Sequence, residues 1–406
     1  MDTLPLSLPI LMDGATGTQL MARGMPAGVS TEQWVLDHPE VLLEIQRAYV
    51  QAGSQILLTP TFGANRVGLS RCGAFTRVAE YNQRLVALTR QAAEGRCLVA
   101  GDLAPLGLSL PPFGESSFEE LVAIYTEQAA ALAQAGVDLF VVETMISMAE
   151  ARAAVLACRS VSDKPVWVSF TCDEEGRAPY GTDVLAAMIV MQGMGVSAFG
   201  LNCARGADVA EQLKRLSAYA TVPLIAKPNA GMPGSYCEAE ELAALVPAFA
   251  GAGARIFGGC CGSGPAHISA IRRAMAKVDF SAFRPAERDP DVIPCASEKE
   301  ARFITPDVDV GEMIQCTPDL MEDILAAEEE APQGALKIAV LEEDDLDIFA
   351  ENQYVVKDAL CLFSDVPELL EKALRIYQGR AFWDGTGDLE EDFLQKMAAT
   401  YGLILL

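Results

Sequence analysis

The stretch "ARIFGGCCGSGPAHI", residues 254–268, runs from an apolar segment through two glycines into adjacent cysteines, and then into Pro265. Neighbouring residues in a strand point to opposite faces. Cys260 and Cys261 can therefore serve one point only where the strand has ended and the backbone bends, a freedom that Gly258, Gly259 and Gly262 supply. With Ser263 as a cap and Pro265 in the first turn, "SGPAHI" opens a helix. The segment thus reads as strand, bend and helix, with its chemistry at the strand's carboxyl end.

The same pattern recurs from residue 10 to about 276. Eight short apolar runs, "PILMDG", "SQILLTP", "CLVAGD", "DLFVVET", "VWVSFT", "AFGLNC", "PLIAKPN" and "RIFGGCC", each end in polar or glycine-rich residues and lead into Ala/Leu-rich stretches. Runs apolar on both faces suit strands covered on both sides, and alternation with helices implies a parallel sheet. Eight units in roughly 270 residues is the size of a (β/α)8 TIM barrel. A doubly wound open sheet is the competing arrangement. "EVLLEIQRAYVQAG" and "EELVAIYTEQAAALAQAG" have apolar residues at helical spacing and end in Gly.

In such a barrel the active groups sit at the carboxyl ends of the strands, which here carry Asp13, Thr59, Asp102, Glu143, Thr171, Cys203, Asn229, Cys260 and Cys261. Cys203 ends the sixth strand and Cys260 and Cys261 the eighth, next-but-one neighbours around a barrel. Three thiolates suit zinc with one position left open, the pattern of a catalytic site. By spacing alone, buried thiols are the favoured reading, since free Cys packs as a small hydrophobe. Cys172 and Cys237 read as buried or inert. With two histidines in the chain, a His-based metal site is excluded; His38 and His267 read as helix-start residues.

Residues 281–296, "SAFRPAERDPDVIPCA", form a Pro- and charge-rich linker between residues 1–280 and a small acidic α/β segment, 297–406. Of the net charge of −26, residues 281–406 carry −19, from 29 acidic and 10 basic side chains. "ALKIAVL" and "ALCLFS" read as strands there, "PELLEKALRIYQG" and "EEDFLQKMAATYG" as helices, and "AAEEEAPQG" and "LEEDDLD" as exposed stretches. No basic footprint for nucleic acid or an anionic membrane is present. With no run of 18 apolar residues and no basic, apolar leader, a soluble cytoplasmic protein with reduced thiols is expected.

"MDGATGTQL", "VVETM", "GLNCARG", "KPNAG" and "GGCCGSGPAHI", in this order, resemble the homocysteine S-methyltransferase family, and above all the homocysteine module of cobalamin-dependent methionine synthase, over about residues 5–278. The resemblance implies zinc on Cys203, Cys260 and Cys261, holding the homocysteine sulfur as the thiolate that takes a methyl group to give methionine. It further implies that Asp13 and Glu143 pair with the homocysteine ammonium. The backbone of Gly14, Ala15, Thr16 and Gly17 would hold its carboxylate, and Asn229 would take zinc's fourth position when substrate is absent. The Asp-x-His-x-x-Gly motif of a cobalamin module fits neither histidine, so methylcobalamin is expected as donor on a separate corrinoid protein. Two alternatives stand beside this: a small sulfonium or betaine donor in an aromatic cage, with Trp34, Phe62 and Tyr180 as candidates, or a non-catalytic zinc-binding scaffold. The tail faintly resembles the early part of a folate-binding barrel, as a degenerate or truncated relic.

Overall fold

The computed structural model describes residues 5–232, 235–284, 288–330 and 334–406. Parts of the stretches read as linker (285–287) and as an exposed acidic stretch (331–333) lie outside them. Eight parallel strands, β1 (Ile10–Leu11), β2 (Ile56–Leu58), β3 (Leu98–Leu103), β4 (Leu139–Met145), β5 (Val166–Phe170), β6 (Ala198–Asn202), β7 (Leu224–Lys227) and β8 (Ala254–Phe257), pair in the order β1-β8-β7-β6-β5-β4-β3-β2. The ring closes between β1 and β2. A parallel bridge joins Met12 to Ile56, and the Gln55 N–H donates to the Leu11 carbonyl at 2.7 Å. The expected (β/α)8 barrel is therefore present, and the doubly wound sheet is not.

Two layers of apolar packing hold it. Inside the ring, Ile10, Met12, Ile56, Leu58, Ala100, Leu139, Val141, Trp167, Ala198, Ile225 and Ile256 fill the lumen. Outside, helices α1 (Pro39–Ala52), α2 (Val78–Ala93), α3 (Phe118–Gln134), α4 (Met148–Val161), α5 (Val184–Gly193), α6 (Gly206–Ser217), α7 (Val246–Gly251) and α8 (Pro265–Met275) cover the other strand faces. The two helices read from the sequence are α1, which ends at Gly53 with φ 107°, and α3, which starts at Ser117 with its hydroxyl accepting the Glu120 N–H.

The acidic segment begins with a two-stranded antiparallel ribbon, β9 (Ile293–Ala296) and β10 (Ala301–Ile304). The first of these lies inside the Pro-rich stretch 281–296. A five-stranded parallel sheet follows: β11 (Val310–Gln315), β12 (Ala335–Ala339), β13 (Ala359–Phe363), β14 (Phe382–Trp383) and β15 (Ile404–Leu405), paired strictly in chain order. Helices α9 (Leu320–Glu330), α10 (Glu343–Asn352), α11 (Pro367–Ile376) and α12 (Glu391–Tyr401) connect them. The two strands and two helices read from the tail are β12, β13, α11 and α12. The stretch "LEEDDLD" is largely exposed, as expected, and enters a helix: Glu343, Asp344 and Asp345 form the first turn of α10, where carboxylates complement the helix dipole.

This segment is packed onto the barrel. Helix α5, "VLAAMIVMQG", is apolar all round, and Val184–Met191 are buried. A helix of that kind must be covered on every side, and β9, β10 and α12 pack against it. On α4, fully buried Arg152 donates to the carbonyls of Leu374 (2.8 Å) and Arg375 (3.1 Å) and to Gln378 Oε1 (3.1 Å). One turn-pair further along, Arg159 donates to the Ala399 carbonyl at 3.0 Å. Two arginines of one barrel helix thus satisfy the exposed carbonyl ends of α11 and α12, where cations are favoured.

Arg152→Ala leaves three acceptors unpaired, two of them buried, and a cavity behind, so a loss of about 2–4 kcal/mol is expected in urea denaturation; a loss below about 0.5 kcal/mol would contradict this packing. Removal of residues 290–406 bares α5, and the shortened chain is expected to aggregate or to lose cooperative unfolding, as read by light scattering and circular dichroism.

Candidate active site

The strand ends converge on a cavity of about 440 Å³ at the carboxyl mouth of the barrel. Its wall includes the Gly14–Thr18 loop, Asp102, Glu143, Thr144, Lys227 and Cys203, Cys260 and Cys261. The three sulfurs lie within 4.8 Å of one another, with Cys203 Sγ 3.8 Å from Cys261 Sγ. A tetrahedral zinc with bonds of about 2.3 Å sets its sulfurs about 3.8 Å apart. The donor set therefore fits that ion in chemistry and in approximate spacing. Among the described residues no other His, Cys, Asp or Glu group makes such a cluster.

The end of β7 holds both cysteine loops. The Lys227 carbonyl accepts from the Cys203 N–H (3.2 Å) and the Pro228 carbonyl from the Cys260 N–H (2.8 Å). In return the Asn229 N–H donates to Ala204 (3.0 Å) and the Ala230 N–H to Cys261 (2.9 Å). The bend that lets adjacent cysteines face one point needs small residues: a Cβ on Gly259 would lie 2.3 Å from Ser263 Oγ, and Gly262 has φ 81°. Cys203 and Thr144 also adopt left-handed backbone, φ 56° and 58°. For residues other than Gly such conformations cost about 1–3 kcal/mol and persist only where the surroundings enforce them.

Asn202 links these strained points. Its Oδ1 accepts from the Thr144 N–H (3.0 Å) and the Ser169 hydroxyl (3.0 Å), while its Nδ2 donates to Thr144 Oγ1 (2.7 Å) and towards Cys260 Sγ (3.8 Å). Buried Lys227 Nζ lies 2.9 Å from Glu143 Oε2. Burial works against the Lys227 charge, but the carboxylates of Glu143 and Asp13 outweigh it and keep the ammonium charged. Lys227 and Asn202 were not expected at the site, and Asp102 was placed on this rim from the sequence without a role. Each ends an apolar strand run, and that position was the available signal.

Gly14, Ala15, Thr16 and Gly17 line the cavity, and the Ala15 N–H is taken by Ser263 Oγ at 3.1 Å. Glu143 lines it too. Asp13 is fully buried below the wall, where its Oδ2 accepts the Leu58 N–H (2.9 Å) and its Oδ1 has no partner; burial pushes its carboxyl up to about 7. Asn229 Oδ1 is likewise buried without a partner, outside the cavity lining. The cap of α8 is Gly264, one residue later than the Ser263 expected. Ser263 instead donates to the Cys260 carbonyl at 2.8 Å, and His267 Nδ1 accepts the Gly264 N–H at 3.1 Å while its Nε2 meets the Cys237 carbonyl at 2.9 Å. Both ring nitrogens of His267 are thus committed away from the sulfurs. His38 caps α1 and stacks on Trp34. Of the aromatic candidates only Phe62 lines the cavity; Tyr180 faces Ser109 at 3.4 Å.

The barrel is matched by known proteins. A family model described as homocysteine S-methyltransferase matches residues 10–275. Methionine synthase from Mycobacterium tuberculosis is 32% identical over 295 residues, 66% of this chain and 24% of that protein. Methionine synthase from Mycobacterium leprae is 32% identical over 302 residues, 68% and 25% respectively. The chain therefore spans about a quarter of the length of these curated relatives. The metallated form of the homocysteine methyltransferase MmuM from Escherichia coli superposes with a TM-score of 0.59 and 29% identity, covering 65% of this chain and 95% of that one. A match that takes in all eight strands and the three converging cysteines makes the chain a member of the homocysteine S-methyltransferase family.

Proposed function

We propose that the chain transfers a methyl group to the sulfur of homocysteine, giving methionine, at a zinc ion held by Cys203, Cys260 and Cys261. The observation that carries this reading is the convergence of three sulfurs within 4.8 Å on the wall of a cavity large enough for an amino acid. Zinc there would supply the substrate as a thiolate at neutral pH, in place of a thiol with a pKa of about 8.5.

The chain's own groups do the rest. Glu143, with Asp13 below it, provides negative charge for the substrate ammonium. The backbone of Gly14–Gly17 faces its carboxylate without an arginine, as a glycine-rich loop can. Asn202 steadies Cys260 through its 3.8 Å contact, and Lys227, 2.9 Å from Glu143, holds that carboxyl in place and counters the burial that pushes it upward. Asn229, with a buried oxygen that lacks a partner, is suited to be the group that moves when substrate enters. In the transfer the substrate sulfur's electron pair forms the new S–C bond, and the pair of the breaking bond stays with the donor.

Methylcobalamin is the donor we favour, in keeping with the resemblance to cobalamin-dependent methionine synthase; within residues 1–406 neither histidine sits in a cobalamin motif, so the corrinoid would be held outside them. A sulfonium or betaine donor would call for an aromatic cage. Trp34 stacks on His38 and Tyr180 lies against Ser109, so Phe62 alone remains of the three candidates. The completeness of the cavity wall favours an enzyme over a scaffold. The ribbon and the five-stranded sheet of residues 293–406 we read as a relic of a folate barrel, kept as a cover for α4 and α5.

The zinc-loaded chain is expected to bind about one zinc and to form methionine from homocysteine and free methylcobalamin, with both lost in Cys261→Ala. Retained turnover in that variant would overturn the zinc reading, and absent turnover in the parent the donor assignment. Lys227→Met leaves Glu143 buried beside no cation, and a destabilisation of about 3–5 kcal/mol is expected in denaturant titration.

A further inference from the structure

We propose that Asp102 receives the ammonium group of the amino-acid substrate, beside Glu143, and so makes the site prefer an α-amino thiol to a plain one. This rests on the homocysteine reading above and adds a residue which that reading does not use. Asp102 ends β3 on the cavity wall, and its side chain is 4% exposed. Its backbone is pinned: the N–H donates to Thr59 Oγ1 (3.1 Å), and the carbonyl accepts from the Thr61 hydroxyl (2.8 Å) and Gln128 Nε2 (3.5 Å). Its carboxyl has no such support. Oδ1 is buried and finds no hydrogen-bond partner among the described residues.

A buried carboxyl without donors costs stability, so its retention calls for a ligand. The chemistry of that ligand follows from the charges around it. Asp102 and Glu143 face one cavity with a single buried cation, Lys227, and Lys227 Nζ is committed to Glu143 at 2.9 Å. Asp102 has no ion pair of its own: burial, then Glu143 and Asp13, push its carboxyl well above the usual range against the pull of Lys227, so a cation bound beside it would favour its ionised form. A metal is not the match, because among the described residues Asp102 joins no cluster of ligating side chains. A primary ammonium, small and with three donors, is. It would arrive on a ligand whose sulfur reaches Cys203, Cys260 and Cys261 across the same cavity.

The test is calorimetric titration of the zinc-loaded full chain with L-homocysteine and with 4-mercaptobutanoate, which lacks only the amino group. In the parent protein homocysteine is expected to bind more tightly. In Asp102→Asn its affinity falls about 10- to 100-fold, the range of a charge-assisted hydrogen bond, while that of 4-mercaptobutanoate is unchanged. Zinc content stays at the parent level. The melting temperature stays equal or rises, since an unpaired buried carboxyl is relieved. Asp102→Ser serves as a second variant with the same expectation. An unchanged preference for homocysteine in both variants overturns the role of Asp102 alone. Failure of the parent to bind either thiol overturns the homocysteine reading, and this inference with it.

Discussion

Everything at the mouth of the barrel depends on four backbone hydrogen bonds made by the residues that end β7. Lys227 and Pro228 offer carbonyls to the N–H groups of Cys203 and Cys260, and Asn229 and Ala230 return N–H groups to Ala204 and Cys261. One short segment therefore sets the distance between two loops that are 58 residues apart in sequence. Without that tie, nothing local would bring a thiol at the end of β6 to those at the end of β8. The strained backbone at Cys203 and Thr144 is borne by the same framework, with Asn202 fixing Thr144 by two hydrogen bonds. The site is rigid because its supports are strand ends rather than free loops, which suits a reaction that needs its nucleophile held in one place.

Its electrostatics are as constrained as its geometry. Asp13, Asp102 and Glu143 lie buried at or beneath one cavity with a single lysine. Such an excess of buried acid is unfavourable in an empty site and becomes favourable around a cationic ligand.

Much of this was legible in the sequence, for identifiable reasons. The eight strands announce themselves because each is buried on both faces and so reads as an unbroken apolar run ended by polar residues. α1 is legible because Gly53 closes it in left-handed backbone. Strand β9 was hidden, since Pro294 and its charged surroundings read as linker, and β14 and β15 are two residues each, too short to show a period. The acidic stretch 341–347 was read as exposed, and most of its carboxylates are, but that reading did not reveal the helix α10 they open. At the site, cysteines and glycines stood out by their chemistry, whereas Lys227 did not. A lysine at a strand end is commonplace until its partner, 84 residues away, is brought to it.

The strictly sequential order of the five-stranded sheet has a further consequence. Open parallel sheets bind their ligands in the crevice that opens where neighbouring connections run to opposite faces, at a reversal of strand order. From β11 to β15 the order never reverses, so no such crevice is built. What the segment has instead is a broad flank applied to α4 and α5, with two arginines reaching across. Its inheritance is tied to theirs: an apolar residue gained on the outer side of α5 can be kept only while the neighbouring layer stays in place. Barrel and cover are then bound to evolve as a pair.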